Sequence, residues 1–362
     1  MLDLPPKPPM ASYAQGVIRA LLAKGEWLEK LPGERALALR VGVSRPTLHE
    51  ALEGLESEGL IEKRAKSAWR IRATAVAAPV GVRKVVFLSP LSLEDLDHFT
   101  LHQYAVLSSH LAERGYEVEP VRLRVVQGVH PESALKSLAT RLRPSAWILH
   151  RCSPATHQWF GQSGLPVVVM GSAPARLRIR SVDVDYRAAA RHAVSLLMRL
   201  GHRPDQVAYL MPTEKLLGHA EAVAGMREAG GKSPQDVRVV PTPDRPEALC
   251  GQVDRLWREA RRPTALILHR PLQALTILGH LARRGVRVPE DVSLLVLDDN
   301  PMLAHVVPHP ARYHKDTGQF AAHLRKAIEH AVAHSAKGAR STRIVPELIA
   351  GDTLGKPPGN GR

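Results

Sequence analysis

Between Leu48 and Leu55, apolar residues recur at Leu48, Ala51, Leu52 and Leu55, the spacing that lays one stripe along a helix. Ser44 stands just before this run as an N-cap, so the pattern predicts a helix from Arg45 to about Ser57. Glu34 to Arg40 makes a shorter helix, broken at Val41, Gly42 and Val43, where Gly42 is free to take the positive φ that a tight bend requires. Upstream, residues 10 to 24 predict a first helix with Tyr13, Val17, Ala20 and Leu21 on its inward face. Downstream, Leu60 to Lys63 and Trp69 to Arg72 alternate as two short strands.

After ATAVAAPVGV, a small, uncharged, Pro-containing stretch that reads as a linker, the rhythm changes. Strands are predicted at Val85 to Leu88, Val118 to Leu123, Ala146 to His150 and Pro166 to Met170, with helices over Leu101 to Arg114 and Ser133 to Arg141. The same order returns as strands at Val207 to Met211, Val237 to Val240, Ala265 to His269 and Leu294 to Leu297, and helices at Ala220 to Ala229, Glu247 to Ala260 and Leu272 to Arg284. Alternation of this kind builds parallel, doubly wound sheets. Val85 and Ala146 lie 61 positions apart, Val207 and Ala265 58, and the third strands share almost the same words, AWILHR and ALILHR. The repeat predicts two similar α/β lobes with a ligand crevice at the carboxyl ends of their strands. The expected parts are residues 1–72 for the helical head, 73–82 for the linker, 83–350 for the two-lobed body and 351–362 for a flexible tail.

The head carries its chemistry on the first turn of its third helix, where Arg45, Thr47 and His49 face outward. An Arg that forks onto guanine, with hydroxyls at a helix N-terminus that hold phosphate, suits the major groove; an ordinary helical hairpin with a solvated face is the plain alternative. The stretch LPGERALALRVGVSRPTLHEALEGLESEGLI resembles the winged helix-turn-helix of GntR-type regulators, nearly without gaps. That resemblance puts DNA contacts on Arg35, Ser44, Arg45, Thr47 and His49, with His49 standing where the family has Arg. A His there implies a weaker or pH-dependent contact. Gly33 replaces the family's Ser cap, and the wing loop from Arg64 to Trp69 lacks the family's glycine, leaving Lys66 to reach a phosphate.

The body resembles LacI-type, periplasmic-binding-protein-like effector domains, through PVVVMGSAPARLRIRSVDVDYRAAARHAVSLLMRLGHRPDQVAYL and RRPTALILHRPLQALTILGHLARRGVRVPEDVSLLVLDDN. A GntR-type head on such a body is the arrangement of arabinose-repressor-like regulators. The resemblance implies three chain crossings between lobes, near Asp185, Asn300 and Arg343. Two sugar-gripping features are missing: Ala222 stands where the family has Arg three residues before Gly225, and Arg270 and Pro271 replace an Asn-Asp pair. The fold therefore carries over and the ligand does not.

Charge modifies this picture only slightly. The 362 residues carry a formal +15, yet residues 1–72 hold 12 Lys or Arg against 9 Asp or Glu, so most of the excess lies in the body. It does not locate the DNA face. Cys152 and Cys250 make neither a disulfide framework nor a metal motif, and the chain has no membrane-length apolar run, which predicts a cytoplasmic protein. No cofactor is expected, because no P-loop, GxSxG or GxGxxG stands between strand and helix. The carboxylate pairs Asp183 with Asp185 and Asp298 with Asp299 sit at strand ends beside lobe junctions and read as structural, and His330 with His334 lacks a third ligand. Catalysis is not indicated.

Two readings stay open. One is a repressor, a homodimer on a pseudo-palindromic operator, whose DNA affinity a small metabolite modulates from the crevice. The other is a constitutive regulator whose body only dimerises. The repeated words carry the ligand expectation: His150 and Arg151 from one lobe, and His269 and Arg270 from the other, leave equivalent strand ends. Both pairs are expected to face an anionic sugar derivative, unless either Arg turns to solvent or pairs with a neighbouring acid.

Overall fold

The computed structural model describes residues 10–23, 27, 30–64, 68–71, 83–174, 176–214, 216–229, 237–243, 245–334 and 340–359. They form two compact units, Met1–Arg83 and Lys84–Arg362. The expected linker at 73–82 and Lys66 of the wing lie outside the described residues.

Among its described residues the first unit has three helices, α1 (Met10–Ala23), α2 (Glu34–Val41) and α3 (Arg45–Ser57), followed by antiparallel β1 (Ile61–Arg64) and β2 (Ala68–Ile71). Leu48, Ala51, Leu52 and Leu55 are all buried, as their spacing requires. Gly42 caps α2 at φ 75°, and the Ser44 hydroxyl accepts the Thr47 N–H at 3.3 Å to start α3. The inward face of α1 differs from expectation. Ala11, Ala14 and Ile18 are buried, whereas Tyr13 is 54% exposed. The two alanines let α1 lie close to α3, with Ile18 filling the core between them; the larger tyrosine ring is left exposed.

Among its described residues the second unit holds two six-stranded sheets. The first runs in the order β13 (Ser341–Ile344), β7 (Arg180–Val184), β6 (Val167–Met170), β5 (Ala146–His150), β3 (Arg83–Ser89), β4 (Tyr116–Arg122). The second runs β14 (Glu347–Ile349), β12 (Ala311–His314), β11 (Ser293–Val296), β10 (Ala265–Leu268), β8 (Val207–Pro212), β9 (Arg238–Thr242). Val85 pairs with Ala146 and Val207 with Ala265, so the intervals that repeat in the sequence are equivalent strand pairings. Each sheet is covered on both faces. Val85 and Phe87 enter one apolar cluster while Val86 and Leu88 enter another; Ala208 and Leu210 are likewise separated from Val207 and Tyr209. Alternate residues point to opposite layers, which is why strands of a doubly wound sheet read as unbroken apolar runs.

The chain crosses between lobes three times. From β7 it enters α7 (Tyr186–Arg199) and the second lobe; from β12 it returns through Lys315 and Asp316 into α11 (Thr317–His334), which packs on the first-lobe core; from β13 it passes to β14. The middle crossing is thus at Lys315–Asp316 rather than near Asn300, because β11 and β12 are parallel neighbours in one sheet and the Asn300 segment only connects them. The expected flexible tail also differs. Thr353 is fully buried, its hydroxyl donating to the Leu294 carbonyl at 2.6 Å, and the Gly355 N–H donates to Ser293 Oγ at 2.9 Å. Backbone groups of β11 that would otherwise lack partners hold residues 351–359 against the body.

Candidate functional site

On the first unit, Arg35 in the first turn of α2 and Arg45 at the start of α3 are exposed and make no hydrogen bond or ion pair among the described residues. With His49, Glu34 and Lys63 they line one open depression of about 740 Å3. Ser44 and Thr47 sit at its helix N-terminus, their hydroxyls 2.7 Å apart. His49 is not a free projecting side chain. Its ring lies edge-on to Trp69, with Nδ1 3.5 Å from Glu34 and Nε2 3.4 Å from Glu53. Trp69 Nε1 donates to Glu34 at 3.0 Å, and that bond, with His49 and Lys63 nearby, holds the Glu34 carboxyl below its usual range. Lys63, whose ammonium lies 5.2 Å from the Trp69 ring, is the member of this face that sequence reasoning missed. A lysine on a short strand gives no signal until the strand is folded beside α2 and α3.

In the second unit the structure brings together the two strand-end pairs, with different roles for their members. His150 and His269 are buried. The His150 Nδ1 lies 3.1 Å from Ser89 Oγ and its ring stacks on Phe87; the His269 Nδ1 lies 2.7 Å from the Tyr209 hydroxyl. Burial, aided by Arg151, pushes His150 down to about 3, and burial with nearby cations holds His269 well below its ordinary value. Both imidazoles are therefore neutral, and of the two pairs expected to face the ligand the histidines are buried, at 6% exposure each.

The guanidiniums do converge. Arg151, which follows β5, forks onto both oxygens of Glu214, its Nε at 3.2 Å from Oε1, and Arg270, which follows β10, donates to Oε2 of the same carboxylate at 3.0 Å. Glu214 lies in the loop between β8 and α8 (Leu217–Ala229), so the Arg151 bond joins the lobes. Arg151 holds φ 53°, left-handed for a residue with a side chain, a strain of roughly 1–3 kcal/mol that surrounding contacts must offset. The alternative weighed from the sequence, pairing with a neighbouring acid, is the arrangement present.

A second internal pair lies nearby. Lys315, 6% exposed, places its ammonium 2.5 Å from Asp298, 3.8 Å from the centre of the Phe99 ring and 3.4 Å from the Tyr186 hydroxyl. Burial raises Asp298 and pushes Asp183 up to about 6, the latter accepting from Ser172 and the Val184 N–H. Asp185 caps α7 through the Ala188 N–H at 2.9 Å, and Asp299 binds Arg312 at 2.6 Å and His314 at 2.7 Å. Each of these carboxylates has a structural partner. Ala222 is fully buried on α8, and at Gly225 an added Cβ would lie 2.0 Å from the Arg187 carbonyl oxygen of α7. This helix face is committed to packing.

Two family models match. Residues 14–71 match the gntR family of bacterial regulatory proteins, and residues 199–354 match a periplasmic binding protein-like domain. The chain joins a gntR-family regulatory head to a periplasmic binding protein-like body. The chain is 29% identical over 151 residues to catabolite control protein A of Priestia megaterium, covering 41% of this chain and 45% of that protein. Over 166 residues it is 27% identical to the transcriptional regulator CelR of Thermobifida fusca, covering 44% and 48%. The chain spans about half the length of the curated relatives it matches. Among solved structures, a CelR–cellobiose complex superposes with a TM-score of 0.63 at 18% identity, over 90% of this chain and 100% of that one. A LacI family regulator from Enterococcus faecium with bound ribose gives 0.61 at 14%, over 75% and 98%. At these identities the structures establish the fold of the body. No helix among the described residues is long and apolar enough to cross a membrane.

Proposed function

We propose that this chain is a sequence-specific DNA-binding transcriptional regulator. It acts as a homodimeric repressor on a pseudo-palindromic operator, and a small metabolite in the interlobe crevice sets its DNA affinity. The observation that carries the reading is the pair of exposed guanidiniums, Arg35 and Arg45, on the first turns of adjacent helices around one depression. One short helix reads few base pairs, and two-fold symmetry doubles the site. The gntR match over residues 14–71 and the regulators among the relatives support it. Arg35, Ser44, Arg45, Thr47, His49 and Lys66 are proposed as DNA contacts, with Lys63 added. The crevice binds its ligand and does not transform it.

A second reading, a constitutive regulator whose body only dimerises, is favoured by one observation: Glu214 and Lys315 already satisfy the charges of the crevice from within. Operator DNA selected from random duplexes separates the outcomes. Full-length protein is expected to bind it, a fragment lacking residues 1–72 is not, and retained specific binding by the fragment would move the DNA face into the body. A thermal-shift screen of sugars and sugar acids then decides between the readings, because any tight ligand raises the melting temperature by mass action.

A further inference from the structure

Arg151 and Arg270 follow the matching words AWILHR and ALILHR, so the repeat delivers one guanidinium from each lobe to the same place. What they meet there is a carboxylate of this chain. Arg151 engages both oxygens of Glu214 in the fork geometry by which arginine binds free carboxylates and phosphates, and Arg270 closes on Oε2. Arg151, Glu214 and Arg270 are 19%, 27% and 31% exposed, so the cluster is sheltered but reachable from solvent.

The two arginines are set on the scaffold and the acid is not. Arg151 directly follows β5 and is held at φ 53°; Arg270 is the N-cap of α10 (Pro271–Arg283), its N–H accepted by Gln273 at 3.1 Å. Glu214 sits in a loop, anchored through its own carbonyl oxygen by His219 Nδ1 at 2.8 Å and the Leu216 N–H at 3.1 Å, so its side chain can leave without loss of those bonds. The imidazoles behind the pair are neutral, so recognition of an anion there falls to the two guanidiniums.

We propose that Glu214 is an internal anion that occupies the Arg151–Arg270 site and ties the lobes together, and that an anionic effector, of phosphate or dicarboxylate chemistry, enters by displacing it. The proposal rests on the metabolite-responsive reading above and names its ligand class and gate. Effector entry then exchanges an interlobe bond made by the protein for one made by the ligand, and the lobe arrangement responds to the difference between the two.

Inorganic phosphate is the probe, titrated calorimetrically into full-length protein at constant ionic strength, since a chain of +15 attracts anions diffusely. Glu214→Gln keeps the shape and removes the competing charge. It is expected to bind phosphate roughly ten- to a hundredfold more tightly than wild type, with the gain abolished by adding Arg151→Ala or Arg270→Ala. Matching circular dichroism and an unshifted unfolding midpoint in the head confirm that the variants are folded. Phosphate binding by Glu214→Gln no tighter than wild type, or a gain that survives loss of either arginine, overturns the proposal. The regulator reading fails separately: it falls if no ligand alters operator affinity, whatever phosphate does, and it stands without this gate if a neutral sugar releases operator equally from wild type and Glu214→Gln.

Discussion

Arg45→Ala offers the sharpest test of the DNA face. Arg45 is exposed and has no ion-pair or hydrogen-bond partner among the described residues, so removing it breaks nothing internal. Fold stability should stay within about 0.5 kcal/mol of wild type, the ordinary range for exposed positions. Operator binding should not. A guanidinium that reads a base contributes about 1–3 kcal/mol, which is roughly a five- to 150-fold rise in Kd. The loss should be specific, with binding to an unrelated duplex changing far less. If Arg45 contacts only phosphate, specific and non-specific DNA weaken together and the slope of log K against log salt drops by about one. Fluorescence anisotropy with selected operator and a scrambled duplex, each at several salt concentrations, reads all three quantities. An Arg45→Ala protein that binds operator as tightly as wild type at every salt would refute the assignment of α3 as the recognition helix.

Acid should unfold the body through its buried imidazoles. His150 is pushed down to about 3 and His157 to about 4 from an ordinary 6.5, so between these values the unfolded chain binds more protons than the folded one. Their stabilisation is complete above about 6.5 and is lost as the pH falls, by about 2 kcal/mol per group at pH 5. Urea midpoints should fall between pH 7 and 5 and fall less in His150→Gln; an equal fall would remove His150 from the account. Gly225→Ala would place a Cβ 2.0 Å from a backbone oxygen of α7, forcing α7 and α8 apart at a cost of about 3 kcal/mol or more, read as a lower urea midpoint. Unchanged stability there would contradict the close crossing of these helices.

Much of this architecture was legible in the sequence, because it rests on local or repeated information. The stripe of Leu48, Ala51, Leu52 and Leu55, the Gly42 bend and the Ser44 cap depend on neighbours within a turn or two. The two lobes were visible as a repeat, since homologous strand pairings recur at nearly equal spacing. What crosses from one element to another was decided only by the folded chain. The burial of Ala11 and Ile18 in place of Tyr13 depends on how closely α1 approaches α3. The return to the first lobe at Lys315–Asp316 depends on β12 joining β11, and the order of residues 351–359 depends on free backbone groups at Leu294 and Ala311. Glu214 is the clearest case. It stands 63 residues from Arg151 and 56 from Arg270, in no motif, and nothing in its neighbourhood marks it as their partner. An ion pair between lobes is set by where two separately folded sheets bring their strand ends, and that distance has no counterpart in the local pattern of a sequence.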